Sequence, residues 1–172
     1  DSIKLLYNKA DSIVAVSNSI KIDLINNFGL DPNKIKVIYN PYDIEKIKEL
    51  TQEKVEREYL EVFNNPTIIT AGRLSKQKGH WHLIRSFKKI KEEVPEAKLI
   101  ILGQGELEDY LKQLTVDLLL EKDVYFLGFQ KNPFKYIAKS TVFAFPSLYE
   151  GFPNALCEAM ACGIPVISAD CK

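Results

Sequence analysis

Cysteine is scarce: Cys157, Cys162 and Cys171 are the three present, and no two stand in a CxxC spacing. An odd count without metal-type pairing excludes a disulfide framework and suits a reducing compartment, with each thiol read as a small buried apolar side chain. Charge of one sign is lacking too, because 23 Lys+Arg face 23 Asp+Glu and the formal net charge is zero. A nucleic-acid partner bound through a basic patch is therefore not expected. No uninterrupted apolar run comes near the ~18 residues of a membrane-spanning helix. Nor is there a D-x-D carboxylate pair anywhere, so no divalent metal clamp is expected. Methionine occurs once, at Met160, and the chain opens at Asp1 without a signal-peptide pattern, so it is expected to be a piece of a longer protein. What remains is ordinary globular composition, 46% hydrophobic and 27% charged, with glycine and proline scattered.

Short apolar runs alternate with helical ones along the whole chain. Ser12–Val16, Ile35–Tyr39, Thr67–Ala71, Lys98–Leu102, Val124–Leu127, Val142–Phe145 and Val166–Ser168 read as buried strands, each bounded by Gly, Pro, Asn or charge. The stretches between them are long enough for helical crossovers, which parallel strands require. The alternation predicts an α/β fold, a doubly wound parallel sheet with helices on both faces. One helix shows its period plainly: Trp81, Ile84, Phe87, Ile90 and Val94 recur every three or four residues, flanked by Leu83, with Lys88, Lys89, Lys91, Glu92 and Glu93 opposite. His80 and His82 stand two apart, on different sides of such a helix, and do not make a metal pair.

The first forty or so residues form a separate βαβ-like unit. Ser17 or Ser19 caps a helix through Ile20–Phe28, Gly29 ends it, and Asp31-Pro32 turns the chain into the next strand. Ile44–Asn65 is charged and helix-prone, broken by Asn64-Asn65-Pro66. A hinge at Asn40–Asp43 is expected, dividing the chain into residues 1–43 and 44–172.

In open α/β sheets, ligands sit outside the carboxyl ends of the strands, so the loops there carry the chemistry. Thr67–Ala71 runs into Gly72-Arg73-Leu74-Ser75-Lys76-Gln77-Lys78-Gly79, which can aim a guanidinium and an ammonium at one anion beside a helix N-terminus. A solvated basic turn is the equally open alternative. Lys98–Leu102 runs into Gly103-Gln104-Gly105-Glu106, which begins like G-x-G-x-x-G but has Glu108 where the third glycine belongs, so the dinucleotide fingerprint fails. The turn either brings backbone at Gly103 and Gly105 near a ligand or has no ligand contact. After Val142–Phe145 a loop holds Glu150 and Gly151, Pro153 stands at a favoured first helical position, and Gly163 and Pro165 close a short helix. Backbone N–H groups around Phe152–Ala155 suit a phosphate. Glu158, about 7.5 Å along the axis from Pro153, is placed to accept hydrogen bonds from sugar hydroxyls, and Glu150 to serve a second sugar.

Glu150 and Glu158 form an E-x7-E pair in EGFPNALCEAMACGIPVI, which resembles the donor-binding signature of the family 4 retaining glycosyltransferases. Gly72-Arg73-Leu74…Lys78-Gly79 resembles the second hallmark of that family, in the same order and spacing. Val16-Ser17 and Tyr39-Asn40-Pro41 resemble its domain junction more weakly. The two motifs together span about Thr67 to Lys172.

The resemblance implies the GT-B fold, two facing Rossmann-like domains with the reaction in the cleft between them. Residues 1–43 would be the tail of an N-terminal acceptor domain with its hinge, and 44–172 a nucleotide-sugar domain truncated after Lys172, so that the fold is incomplete at both ends. On the same footing, Arg73 and Lys78 would bind the donor diphosphate and stabilise the departing nucleotide. Glu158 would bind the ribose and Glu150 the hydroxyls of the transferred sugar, which places Glu150, Arg73 and Lys78 at the reacting centre. Backbone at Gly151, Phe152, Pro153 and Asn154 would hold the distal phosphate or the sugar. Gly103 and Gly105 would approach the donor, and Phe129 and Gln130 would lie along its base. The implied reaction is same-face, retaining transfer from a UDP-linked sugar to a glycan or lipid-linked acceptor in bacterial surface-polysaccharide assembly. Beyond the donor no cofactor is implied, nor a metal. A cytoplasmic location follows, at the cytoplasmic face of the inner membrane, with peripheral association through the missing domain. The 172-residue piece is expected to bind nucleotide and transfer no sugar. The rival readings are an isomerase of the nucleotide-sugar 2-epimerase type and a non-catalytic nucleotide-sugar-binding module.

Overall fold

Runs such as Thr-Ile-Ile-Thr-Ala and Leu-Ile-Ile-Leu, rich in β-branched and aliphatic side chains, make extended chain buried on two faces. In the computed structural model, which describes residues 2–171, five such strands form one wholly parallel sheet: β3 (Thr67–Ala71), β4 (Lys98–Leu102), β5 (Val124–Gly128), β6 (Val142–Phe145) and β7 (Val166–Ser168). Their spatial order is β5-β4-β3-β6-β7. The chain therefore builds outward from β3 in one direction and then returns to continue from its other side. Ile68 pairs with Val142 and Ile69 with Phe143, which makes the gap between β3 and β6 the switch point of a doubly wound sheet. A register shift between Ile101 and Leu102 carries β5 one residue past Leu127, to Gly128.

Alternation along each strand divides the core. Leu99 and Ile101 pack with Leu83, Ile84 and Phe87 of α4 (His80–Glu93) and Leu111 and Leu114 of α5 (Glu108–Asp117). Ile100 and Leu102 face the other way, toward Tyr136 and Ile137 of α6 (Phe134–Ile137) and Ala159 of α7 (Asn154–Ala161). Ile84 and Phe87 are fully buried as the helical period requires, whereas Leu83, expected only to flank the stripe, belongs to the core. The segment after Asp43 is helical over Ile44–Thr51 (α3) and then breaks into single turns at Arg57–Tyr59 and Val62–Asn64. Val55 and Val62 are both buried against the sheet, which pins that stretch where a charged, helix-prone segment was expected.

By backbone contacts the chain divides into two units, residues 43–150 with 155–172, and residues 1–42 with 151–154. In the latter, β1 (Ile13–Ala15) and β2 (Ile35–Val37) pair in parallel over a small core of Ile13, Ala15, Leu30 and Ile35. The preceding α1 spans Ser2–Tyr7. The Ser17 side chain accepts from the Ile20 N–H, so α2 runs over Asn18–Asn26, two residues earlier than the apolar pattern alone indicates.

A charged cluster ties together the amino ends of two strands. Asp123 accepts from Lys98 at 2.6 Å and is 3.0 Å from Lys91, all three side chains being at most 20% exposed. Burial of Asp123 opposes ionisation, but hydrogen bonds and charge from Lys98 and Lys91 prevail and hold its carboxyl below the usual aspartate value. Asp123→Ala strands the Lys98 ammonium and leaves Lys91 only the Pro95 and Ala97 carbonyls, and it is expected to lower stability by about 1–3 kcal/mol in urea unfolding at neutral pH. Because the folded-state value is depressed, this contribution is full at neutral pH and lost as the pH falls through it. The wild-type and variant stabilities should therefore converge in acid.

Candidate functional site

Two loops leave the carboxyl ends of β3 and β6 on either side of the switch point, and backbone bonds join them. The Leu148 N–H donates to the Gln77 carbonyl at 2.8 Å, and Gln77 Nε2 donates to the Tyr149 carbonyl at 2.9 Å. Gly79 sits at φ +62°, a left-handed turn that starts α4, with the Pro146 carbonyl directly against the position a side chain would occupy. Only glycine allows that approach. Closure of the two loops brings Lys78 Nζ to 2.6 Å from Glu150 Oε1, with the side chains 22% and 11% exposed. The same ammonium lies 5.4 Å from the centre of the Phe145 ring. An ammonium has three protons and a carboxylate two oxygens, so each partner keeps hydrogen-bonding capacity for a ligand.

Arg73 stands apart from this pair. Its side chain is 75% exposed, with Nε 3.3 Å from Glu106 Oε2. Lys78 and Arg73, expected to converge on one anion, are thus each held by a carboxylate of their own. Arg73 lines a cavity of about 340 Å³ with Gly72, Gly103, Gln104, Phe129, Gln130 and Pro133 among its walls. Backbones pack closely around these loops: Leu74, fully buried, donates its N–H to the Gln104 carbonyl at 2.9 Å, and Gly103 at φ +130° leaves no room for a side chain against the Gly72 carbonyl. Gly105 packs its Cα against the Leu74 backbone, away from those walls.

Glu158 lies in α7, half-buried, and burial raises its carboxyl pKa. One turn on, burial and then the charge of Glu158 push the Cys162 thiol up to about 11, so it is no nucleophile at neutral pH. His80 is 1% exposed, and burial, followed by the charge of Lys78, lowers it to about 4. It is a neutral core imidazole and adds no cation to the site.

Residues 151–154 belong by contacts to the other unit. The Gly151 carbonyl accepts from Ser17 Oγ at 3.0 Å, and the Phe152 ring is 6.0 Å from that of Tyr39. Asn154 Oδ1 accepts from Asn40 Nδ2 at 2.7 Å and from the Tyr42 hydroxyl at 2.6 Å. Pro153 has no N–H, and the helix starts one residue later than expected, at Asn154, whose own N–H donates to the Phe152 carbonyl. Of the backbone N–H groups read as suited to a phosphate, that of Asn154 is thus already engaged within the segment. Sequence reasoning missed Glu106 and the anchors Asn40 and Tyr42 as partners, and only the juncture Tyr39-Asn40-Pro41 gave a signal. Among the described residues no cluster of His, Cys, Asp and Glu could hold a metal, and no helix is long and apolar enough to cross a membrane.

The family model for group 1 glycosyl transferases matches residues 51–172, and that for glycosyltransferase family 4 matches residues 2–46. The chain is 45% identical to the glycosyltransferase MJ1059 of Methanocaldococcus jannaschii, covering 98% of this chain and 42% of that protein. It is 41% identical to the Campylobacter jejuni N-acetylgalactosamine-N,N'-diacetylbacillosaminyl-diphospho-undecaprenol 4-alpha-N-acetylgalactosaminyltransferase, over 99% of this chain and 44% of the relative. The chain thus spans less than half the length of these curated relatives. Among solved structures, Anabaena HepE in complex with UDP and glucose superposes with a TM-score of 0.83 at 30% identity, covering 99% of this chain and 47% of that one.

The Lys78–Glu150 pair is mostly buried, so removing one partner strands the other. Lys78→Met is expected to cost about 3 kcal/mol or more in chemical unfolding. The double variant Lys78→Met/Glu150→Leu should regain most of that loss, and a double-mutant cycle measures the coupling.

Proposed function

Since the chain belongs to the group 1 glycosyl transferases, we propose that the unit of residues 43–150 and 155–172 binds a UDP-sugar and that the full-length protein transfers the sugar, with retention, to a lipid-linked acceptor. The observation that carries this reading is the mostly buried Lys78–Glu150 pair at the sheet's switch point, where doubly wound folds take nucleotides. The UDP in the HepE complex and the diphospho-undecaprenol in the name of the Campylobacter relative support the donor and acceptor classes. Chemistry at such a centre is departure of a nucleoside diphosphate from the anomeric carbon, and the developing charge lies on phosphate oxygens. Lys78 has two protons to spare for those oxygens while Glu150 fixes its position. Arg73, on the wall of the neighbouring cavity, adds a second cation once it leaves Glu106. No metal enters this scheme. The second oxygen of Glu150 is free to take a hydroxyl of the transferred sugar, and Glu158 to take the ribose. Retention follows from same-face delivery of the acceptor hydroxyl, a reaction governed by positioning. We place the protein at the cytoplasmic face of a membrane, where a lipid-linked acceptor is met.

Incubating the full-length protein with labelled UDP-sugars and undecaprenyl-diphosphate-linked acceptors tests the activity, and the anomeric configuration of the product tests retention. Sugar transfer with the α-linkage kept is expected. Epimerised UDP-sugar without transfer would show an isomerase, and binding without turnover a non-catalytic module. By calorimetry, Lys78→Ala should weaken UDP about tenfold while leaving uridine nearly unchanged. Equal losses for both would assign Lys78 to the fold. Glu158→Ala should weaken UDP more than Glu150→Ala does, because the bare nucleotide has the ribose and lacks the sugar. The reverse order would exchange the two carboxylate roles.

A further inference from the structure

The loop leaving β5 is fixed more firmly than a solvated turn. Asn132 Nδ2 donates to the Leu50 carbonyl at 2.9 Å, while its Oδ1 accepts from the Phe134 N–H at 3.0 Å. Gln130 Nε2 donates to the Leu127 carbonyl at 2.6 Å, and Gln130 Oε1 accepts from the Tyr136 hydroxyl at 3.1 Å. Tyr136 is 1% exposed and lies in the core beside Ile137, Ile69 and Phe143. Its single proton faces a second and nearer acceptor, the Glu56 carboxylate, which also accepts from Lys135 Nζ at 2.6 Å.

A count of protons shows what this chain of bonds leaves over. Hydrogen bonds from Lys135 and Tyr136 hold the Glu56 carboxyl at about 2, so it is an ionised acceptor at any physiological pH. Burial and then Glu56 raise the Tyr136 phenol, which keeps its proton. The charged acceptor takes the larger share of that proton. The Leu127 carbonyl, which only accepts, requires the Gln130 nitrogen on its side at 2.6 Å, and the remaining share of the Tyr136 proton favours the amide oxygen on the other. A carbonyl lone pair and one N–H remain unspent. This amide belongs to the wall of the 340 Å³ cavity, next to Phe129, which is 73% exposed. An exposed aromatic face beside an oriented donor–acceptor pair suits a flat heterocycle with a hydrogen-bonding edge.

We infer that Tyr136, anchored by Glu56 and Lys135, is a positioning residue that orients the Gln130 amide to read the base of the donor nucleotide. The inference rests on the nucleoside diphosphate reading above. Uracil and cytosine present opposite donor and acceptor positions along the same edge, so an amide of fixed orientation separates them and one free to turn over does not.

Calorimetry on the full-length protein with UDP, CDP and inorganic pyrophosphate tests it. Gln130→Ala should weaken UDP about 5- to 10-fold and leave pyrophosphate unchanged. Tyr136→Phe should reduce the UDP-to-CDP affinity ratio at least ~3-fold, again without effect on pyrophosphate, and the double variant should be no weaker than Gln130→Ala alone, because Tyr136 acts through Gln130. Glu56→Gln, on the surface, leaves more of the Tyr136 proton to Gln130 Oε1 and should therefore raise the ratio, a readout that serves if Tyr136→Phe does not fold. A folded Tyr136→Phe or Glu56→Gln protein with the wild-type ratio would overturn the inference, as would additive losses in the double variant. Wild-type protein that binds pyrophosphate as tightly as UDP would remove the base-reading role and leave the diphosphate site standing. Wild-type protein that binds neither would bring down the underlying reading together with this one.

Discussion

The return of the chain to pair β6 beside β3 is the constraint on which the site depends. Had Val142–Phe145 continued outward beyond β5, the loop carrying Glu150 would lie three strands from the loop carrying Lys78. Two paired positions, Ile68 with Val142 and Ile69 with Phe143, fix the alignment. The bonds from Leu148 and Gln77 then convert adjacent strands into adjacent loops. What the 2.6 Å contact between ammonium and carboxylate supplies is less stability than placement, since a mostly buried pair gains little over well-packed apolar groups. Both partners are oriented before any ligand arrives, which is how a binding site avoids ordering costs on association.

A second consequence of the same topology is the cavity between the loops after β3, β4 and β5. The loops around it are joined by backbones in contact: Gly103 lies against the Gly72 carbonyl, and Leu74 is hydrogen-bonded to Gln104. Arg73, Phe129 and Gln130 are among the side chains that line it, with Arg73 paired to Glu106.

Much of this was legible in the residues. The strands Thr67–Ala71, Lys98–Leu102 and Val142–Phe145 have the limits read from their apolar runs, because both faces of each strand are largely covered and the pattern is continuous, whereas Val166–Ser168 has the expected limits but lies at the sheet's edge with Ile167 exposed and not buried as read. Parallel pairing followed from the helices between them. Where the reading slipped, a tertiary contact had overruled local preference. Val55 and Val62 anchor to the sheet and break the helix expected across Ile44–Asn65, whereas the earlier start of α2 is local, the Ser17 cap being the one of the two read in the sequence that forms. Charge proximity was legible in part. Lys78 and Glu150 were both singled out, but 72 residues separate them in sequence, and their pairing needed the strand order. The partner of Arg73 was not legible at all, because Glu106 belongs to a loop from a different strand. Glu56 and Tyr136 gave no signal either, since a surface glutamate and a core tyrosine are unremarkable until they share a proton.

The Asp123 cluster lies where β4 begins and just before β5, at the end of the sheet opposite the loops that carry Lys78, Arg73 and Glu150. Robustness and chemistry are thus allotted to opposite poles of one scaffold. Substitutions that erode the amino-terminal pole draw down tolerance without altering what the loops recognise, and loops can be exchanged while the ballast at the other pole stays in place. Such a separation lets the loops change without each change threatening the capacity to fold.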